Sequence, residues 1–225
     1  MIKEQIIANW AQQMEDGIEV VVDVKDYDFD NEERLLIPFH KPMSNKIGLI
    51  NRYGEIILNS DYDIILDKCY STEDLLRIGQ LYSFGFSRPN GNVDIYTHYK
   101  YGVIDSLGNF ILNINYREIL ISDDKQLFSL RDLELRWEVI DRNGNIIVPF
   151  GKYDVIGRFW KGFARVHKTD NHGGGWGVID TSGREVIPTR YKTIYDFYGK
   201  DYSSIYADGE YIPFEELSND TTNSI

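Results

Sequence analysis

The sequence predicts an all-β fold of tandem β-hairpin repeats, most simply a small propeller-like ring of about five blades closed by the termini, with a short N-terminal helix. Three observations carry this. Four stretches align without gaps: KIGLINRYGEIIL from Lys46, KYGVIDSLGNFIL from Lys100, RWEVIDRNGNIIV from Arg136 and GWGVIDTSGREVI from Gly175. Each has a glycine eight residues after its start, at Gly54, Gly108, Gly144 and Gly183, and a landmark tyrosine further on, at Tyr62, Tyr116, Tyr153 and Tyr191. The ends of the chain look permuted: EVVVDV and RLLIPFHK near the start resemble the close of a unit, and GEYIPFEEL near the end resembles an opening. That permutation would let the termini seal a ring. An open β-solenoid or a stacked-hairpin sheet satisfies the same repeat without closure.

Taken in order, residues 1–17 place Ile2, Ile6, Ile7, Trp10, Ala11 and Met14 at helical spacing, a stripe expected to dock on the repeats, with Gly17 as the stop. Residues 18–217 form the repeat domain, and 218–225 a polar, frayed tail. Within each copy, an Asx residue stands three positions before the glycine: Asn51, Asp105, Asp141 and Asp180. Its side chain can accept turn N–H groups, while the glycine takes the left-handed conformation that closes a bulged hairpin. The preceding pairs Leu49-Ile50, Val103-Ile104, Val139-Ile140 and Val178-Ile179 are apolar at consecutive positions. Neighbouring strand residues point to opposite faces, so both faces of each hairpin are expected to be buried between neighbouring copies. LLRIGQLYSF, KQLFSLRD, GFARVHK and SSIYAD read as a further strand per copy. Copy spacings of 54, 36 and 39 residues put the extra length at or before these strands, in loops such as Asp67–Asp74.

The fourth copy, with Trp176, Gly177, Val178, Ile179, Asp180, Gly183, Ile187, Pro188 and Tyr191 in register, resembles the WG (KWG) repeat of bacterial proteins. Residues Phe159 to Val166 resemble the aromatic, glycine and Ala-x-Val segment that closes such a repeat. Trp137 takes the tryptophan position of the third copy, where Glu138 replaces the glycine; Tyr101 and Ile47 take it in the second and first. The resemblance implies a β-rich repeat array with no common activity. Trp137, Trp176 and Gly177, with the four turn glycines and Asp105, Asp141 and Asp180, are therefore expected to be structural.

Thirty-six acidic against twenty-four basic residues leave a net charge of -12. Nucleic acid is excluded as a partner, because affinity for it comes largely from counterions released by Lys and Arg. An anionic membrane is disfavoured for the same reason, and no apolar run is long enough to span a bilayer. Single Cys69 and the absence of a signal-like N-terminus fit a cytoplasmic protein. Asp26-x-Asp28-x-Asp30 opens like a calcium loop but has Asn31 and Ile37 where glycine and glutamate are needed. His167, Asp170 and His172 are the one triad with metal-like spacing, on a loop that more simply reads as a connection. Asn171 to Gly175 resembles the oxyanion segment of some esterases, but no nucleophile elbow accompanies it. Phosphate-loop and dinucleotide motifs are missing, so neither a cofactor nor a catalytic set is expected.

These features favour a non-catalytic protein-interaction module, such as an acidic cytoplasmic inhibitor or immunity-like partner of a basic protein. A small-molecule or glycan binder, or an enzyme with an unrecognised site, are the other readings. A partner would meet the acidic segment Asp23, Asp26, Asp28, Asp30, Glu32 and Glu33, six carboxylates in eleven residues. If the termini seal a ring, removing residues 209–225 lowers the melting temperature of the whole chain in one transition. Calorimetry that finds the melting temperature unchanged contradicts closure.

Overall fold

The computed structural model of the protein describes residues 35–40, 45–169, 173–198 and 204–219. The expected helix at 1–17 and the acidic segment from Asp23 to Glu33 lie outside the described residues. All the described strands belong to five antiparallel sheets, each a simple up-and-down meander. The chain divides into two compact units after Arg117.

In the first unit, β1 (Leu36–His40), β2 (Ile47–Asn51) and β3 (Ile56–Tyr62) form one sheet. A second follows from β4 (Ile64–Ile65), β5 (Leu76–Ser87), β6 (Val93–Ile104) and β7 (Phe110–Tyr116). The second unit opens with β8 (Glu118–Ile121), β9 (Leu127–Arg131), β10 (Trp137–Asp141) and β11 (Ile146–Val148). Its next sheet holds β12 (Val155–Ile156), β13 (Phe163–Lys168), β14 (Gly175–Asp180) and β15 (Glu185–Tyr191). The last has β16 (Ile194–Tyr198), β17 (Ser204–Ala207) and β18 (Glu210–Pro213), followed by a one-turn helix α1 (Phe214–Asn219). The sequence repeat and the sheet are out of phase. Each aligned hairpin supplies the last two strands of one sheet, and the segment after the landmark tyrosine begins the next.

The hairpins close as the Asx–glycine spacing predicts. The Asp141 carboxylate accepts the Asn143 and Asn145 N–H groups, both at 2.8 Å, and the Asn145 side-chain amide at 2.7 Å. Asp105 and Asp180 repeat the arrangement, and the Asn51 side-chain carbonyl accepts from Tyr53 and Glu55. These donors, the Asn145 amide first, hold the Asp141 carboxyl below the usual range. The four turn glycines have φ between 77° and 86°, the left-handed region. The same turn closes β9 to β10 around Asp132 without glycine, because Leu135 takes φ 68°. That position carried no glycine to give it away.

Gly177 answers to a different constraint. A Cβ there would lie 2.6 Å from the Ile187 carbonyl oxygen, and one at Gly102 would lie 2.6 Å from that of Leu112. The approach arises where the hairpin register slips, between Trp176 opposite Tyr191 and Val178 opposite Ile187. The second copy slips at the same place, between Tyr101 opposite Tyr116 and Val103 opposite Leu112. The landmark tyrosine is thus the cross-strand partner of the tryptophan position. In the third copy β11 is shorter and pairs with β10 only at Val139 and Ile140, so no β11 residue stands opposite position 138. Glu138 fits there, and Tyr153 comes one residue later than its counterparts.

Within each unit the core lies between successive sheets. Val178 joins Phe163, Ile187, Ile194, Ile205, Ala207 and Leu217, between the last two sheets. Its neighbour Ile179 joins Trp137, Val139, Val148, Tyr153, Ile156 and Phe159, on the other side of the same sheet. In the first unit, Leu36, Leu49 and Leu58 pack with Leu76, Ile78, Ile104 and the buried Cys69. Cys69 is therefore a core thiol. The extra length of the first copy is not chiefly in the Asp67–Asp74 loop. It lies mainly in β5 and β6, each 12 residues against five in β9 and β10.

Glu138 is buried, and burial, with Asp132 nearby, pushes its carboxyl above the ordinary 4.5. Its folded pKa is raised, so the carboxyl's contribution to stability is fully present below the unfolded value and lost as pH rises through the folded one. Glu138→Gln should therefore melt higher than the parent at pH 7. The gap should close as the pH falls below about 4.5, which thermal melts across the range would show.

Candidate functional site

Beyond Gln80 and Lys100 the β5–β6 hairpin leaves its sheet. Strand β4 pairs with β5 only at Ile78 and Gly79, and β7 pairs with β6 only from Tyr101 onward. Residues 81–99 therefore form a two-stranded arm held by its own ladder, Leu81 opposite Tyr99 through Ser87 opposite Val93. A type of five-residue turn at Arg88–Asn92 closes it, with Gly91 at φ 82°.

Strand alternation sorts the arm's side chains. On one face, Tyr82, Phe84 and Phe86 stand across from His98, Tyr96 and Asp94. Phe84 stacks on Tyr96 at 5.7 Å and on His98 at 5.8 Å between ring centres, and Lys100 Nζ lies 4.8 Å above the Tyr82 ring. On the other face are Leu81, Val93 and Ile95, with Ser83 and Thr97 joined hydroxyl to hydroxyl at 2.9 Å. Phe86 is 62% exposed and Ile95 72%. Large apolar side chains on both faces of a protruding ribbon are not explained by folding, because neither face has a sheet against it among the described residues. Contiguous exposed apolar surface of this kind marks interaction sites.

The two tryptophan positions differ in their surroundings. Trp137 is buried between two sheets, with the Arg131 guanidinium 5.7 Å from its ring. Trp176 is half-buried: it packs on the last core, with Arg165 5.1 Å above its ring and His167 edge-on at 5.0 Å. Tyr153, which takes the landmark position of the third copy, donates to Glu185 Oε1 at 2.9 Å, and burial first, then that carboxylate, pushes its phenol upward. Trp160 and Phe163 exchange both backbone hydrogen bonds around Lys161 and Gly162, a two-residue turn with both φ positive. This is the segment that the sequence likens to the close of a repeat.

A family model described as WG containing repeat matches residues 139–171 and 176–211. The chain carries WG repeats. No curated protein matches it. The two matched repeats supply the third and fourth hairpins, and the first two hairpins share the turn, register slip and landmark tyrosine of the fourth although they lie outside the matched residues. Their tryptophan positions hold Ile47 and Tyr101.

Among the described residues no group of three His, Cys, Asp or Glu side chains could hold a metal ion. Asp170 and His172 lie outside the described residues, as do Asp23, Asp26, Asp28, Asp30, Glu32 and Glu33; His167 Nδ1 lies 3.9 Å from Asp154. No described helix is long and apolar enough to cross a membrane. From the sequence, LLRIGQLYSF reads as one more strand of the repeat, and the residues between Phe84 and Lys100 carry no assigned role. The signal was present in Tyr82-x-Phe84-x-Phe86 and Val93-x-Ile95, two alternations continuing past the length at which the other strands end.

Trp137→Ala should cost about 3–5 kcal/mol by chemical denaturation, the range for a buried aromatic removed from a core. Trp176→Ala should cost clearly less, since solvent already reaches that ring. Equal losses would contradict the different burial of the two WG positions.

Proposed function

We propose that the chain is a non-catalytic protein-interaction module whose recognition element is the β5–β6 arm. The observation that carries this reading is the placement of Phe84, Phe86, Val93 and Ile95 in solvent on a ribbon that the repeat core does not use. Rigid aromatic side chains on a preformed ribbon give contact area at low entropic cost, the property that concentrates binding energy at interface centres. The net charge of -12 and the acidic run from Asp23 to Glu33 favour a second element, long-range attraction of a basic partner. The two elements are separable: the charge acts on encounter with a basic partner, and the arm supplies a preformed contact surface.

The test is to shorten the arm. Residues 81–99 are replaced by the five-residue turn Asp132–Arg136, which closes the shorter β9–β10 hairpin. The melting temperature should stay within about 4 °C of the parent, the shift expected for at most 1 kcal/mol in a chain of this size. Photo-cross-linking in cells from position 86 should give a discrete protein adduct, and the same probe at exposed Tyr53 should not. Adducts of equal pattern from both positions would remove the arm as the recognition element. A basic partner would show an association rate that falls steeply with salt.

A further inference from the structure

The outer edge of β5 has a phase that its sheet-bound part reveals. Arg77 and Gly79 offer their carbonyl oxygens to Leu66 and Asp63, and the Arg77 and Leu81 N–H groups go to the Asp67 and Asp63 carboxylates. Odd-numbered residues therefore turn their backbone groups away from β6. Continued outward, the same phase places the N–H and C=O groups of Ser83, Gly85 and Ser87 along an edge that no described strand covers.

That edge reads Ser83-Phe84-Gly85-Phe86-Ser87, the same in both directions. An antiparallel pairing with an identical strand about a two-fold axis through Gly85 sets Gly85 opposite Gly85 and Ser83 opposite Ser87. All three are outward-facing residues, so these are the hydrogen-bonded pairs of an antiparallel ladder. Phe84 then stands opposite Phe86 in the non-bonded pair, where side chains come closest and aromatic pairs stabilise most. On the opposite face the central pairs are glycine and serine, so nothing bulky opposes the approach.

We propose that β5 is a self-association edge: two copies of this chain join their arms antiparallel through Ser83–Ser87, making one continuous four-stranded sheet. The proposal rests on the reading of the arm as the recognition element and names its partner as a second copy. Charge agrees. Two chains of net charge -12 repel over most of their surfaces, but between Leu81 and Tyr99 the only Lys, Arg, Asp or Glu are Arg88 and Asp94, which pair with each other at 2.5 Å. Self-pairing there brings no like charges together. Pairing through one short strand is a concentration-dependent association, because the contact is confined to Ser83–Ser87.

Sedimentation velocity on the full chain tests it. The expected result is a monomer–dimer equilibrium across the micromolar range. Ser87→Pro removes an outward N–H and leaves the β5–β6 ladder intact, and it should weaken the dimer at least tenfold with an unchanged melting temperature. The pair Phe84→Lys with Phe86→Lys and the pair Phe84→Asp with Phe86→Asp should each be monomeric alone and form a dimer when mixed, because the register sets position 84 against position 86. A chain that is monomeric at every concentration overturns the proposal. So does a dimer that survives Ser87→Pro and the double lysine change, since it must use another surface. Amide protection of Ser83, Gly85 and Ser87 that is independent of concentration also overturns it, because the edge is then covered by the chain's own residues. A monomer whose position 86 still cross-links to a different protein sinks the self-association and leaves the recognition role of the arm standing.

Discussion

The fold depends on burial of each hairpin from both sides. Val178 and Ile179 are adjacent in the chain, yet they belong to different cores because successive strand residues point to opposite faces. A lone hairpin would leave one of them in water, and a two-stranded ribbon is marginal by itself. Stacking sheet on sheet removes that exposure. It also explains why the sequence repeat straddles two sheets: within each unit, the segment after the landmark tyrosine leads the chain from one sheet into the next, so the core between those sheets closes as the chain proceeds.

The remaining local features follow from making such hairpins close and tight. Asx side chains and left-handed glycines fix where each hairpin turns. The glycine after the tryptophan position admits a carbonyl from the partner strand where the register slips, and the tyrosine faces the tryptophan position across that slip. Glu138 shows that the glycine is a consequence of the slip and not an independent requirement. With β11 short, no β11 residue stands opposite position 138, and a large charged residue takes the place. The cost of that exception is a buried carboxyl shifted toward its protonated form.

Much of this was legible in the sequence because each constraint acts over a few residues. The turn glycines, the Asx positions and the paired apolar residues all act within one hairpin, and the structure places them as their spacing implies. Leu135 was not legible: its positive φ is imposed by the hydrogen bonds to Asp132, with no glycine to signal it. The arm was missed for a different reason. Its Tyr82 and Phe84 read as part of an ordinary repeat strand, and only the positions at which β4 and β7 stop pairing leave the arm's side chains in solvent. Exposure depends on where neighbouring strands end, and local periodicity carries no information about that.

The most direct test of two-sided burial is chemical denaturation of Val178→Ala and Ile179→Ala, made separately. Side chains with no exposed surface on opposite faces should each lose about 2 kcal/mol or more on truncation. A large loss for one and none for the other would describe a sheet with a single buried face, and would contradict the stacking on which this account rests.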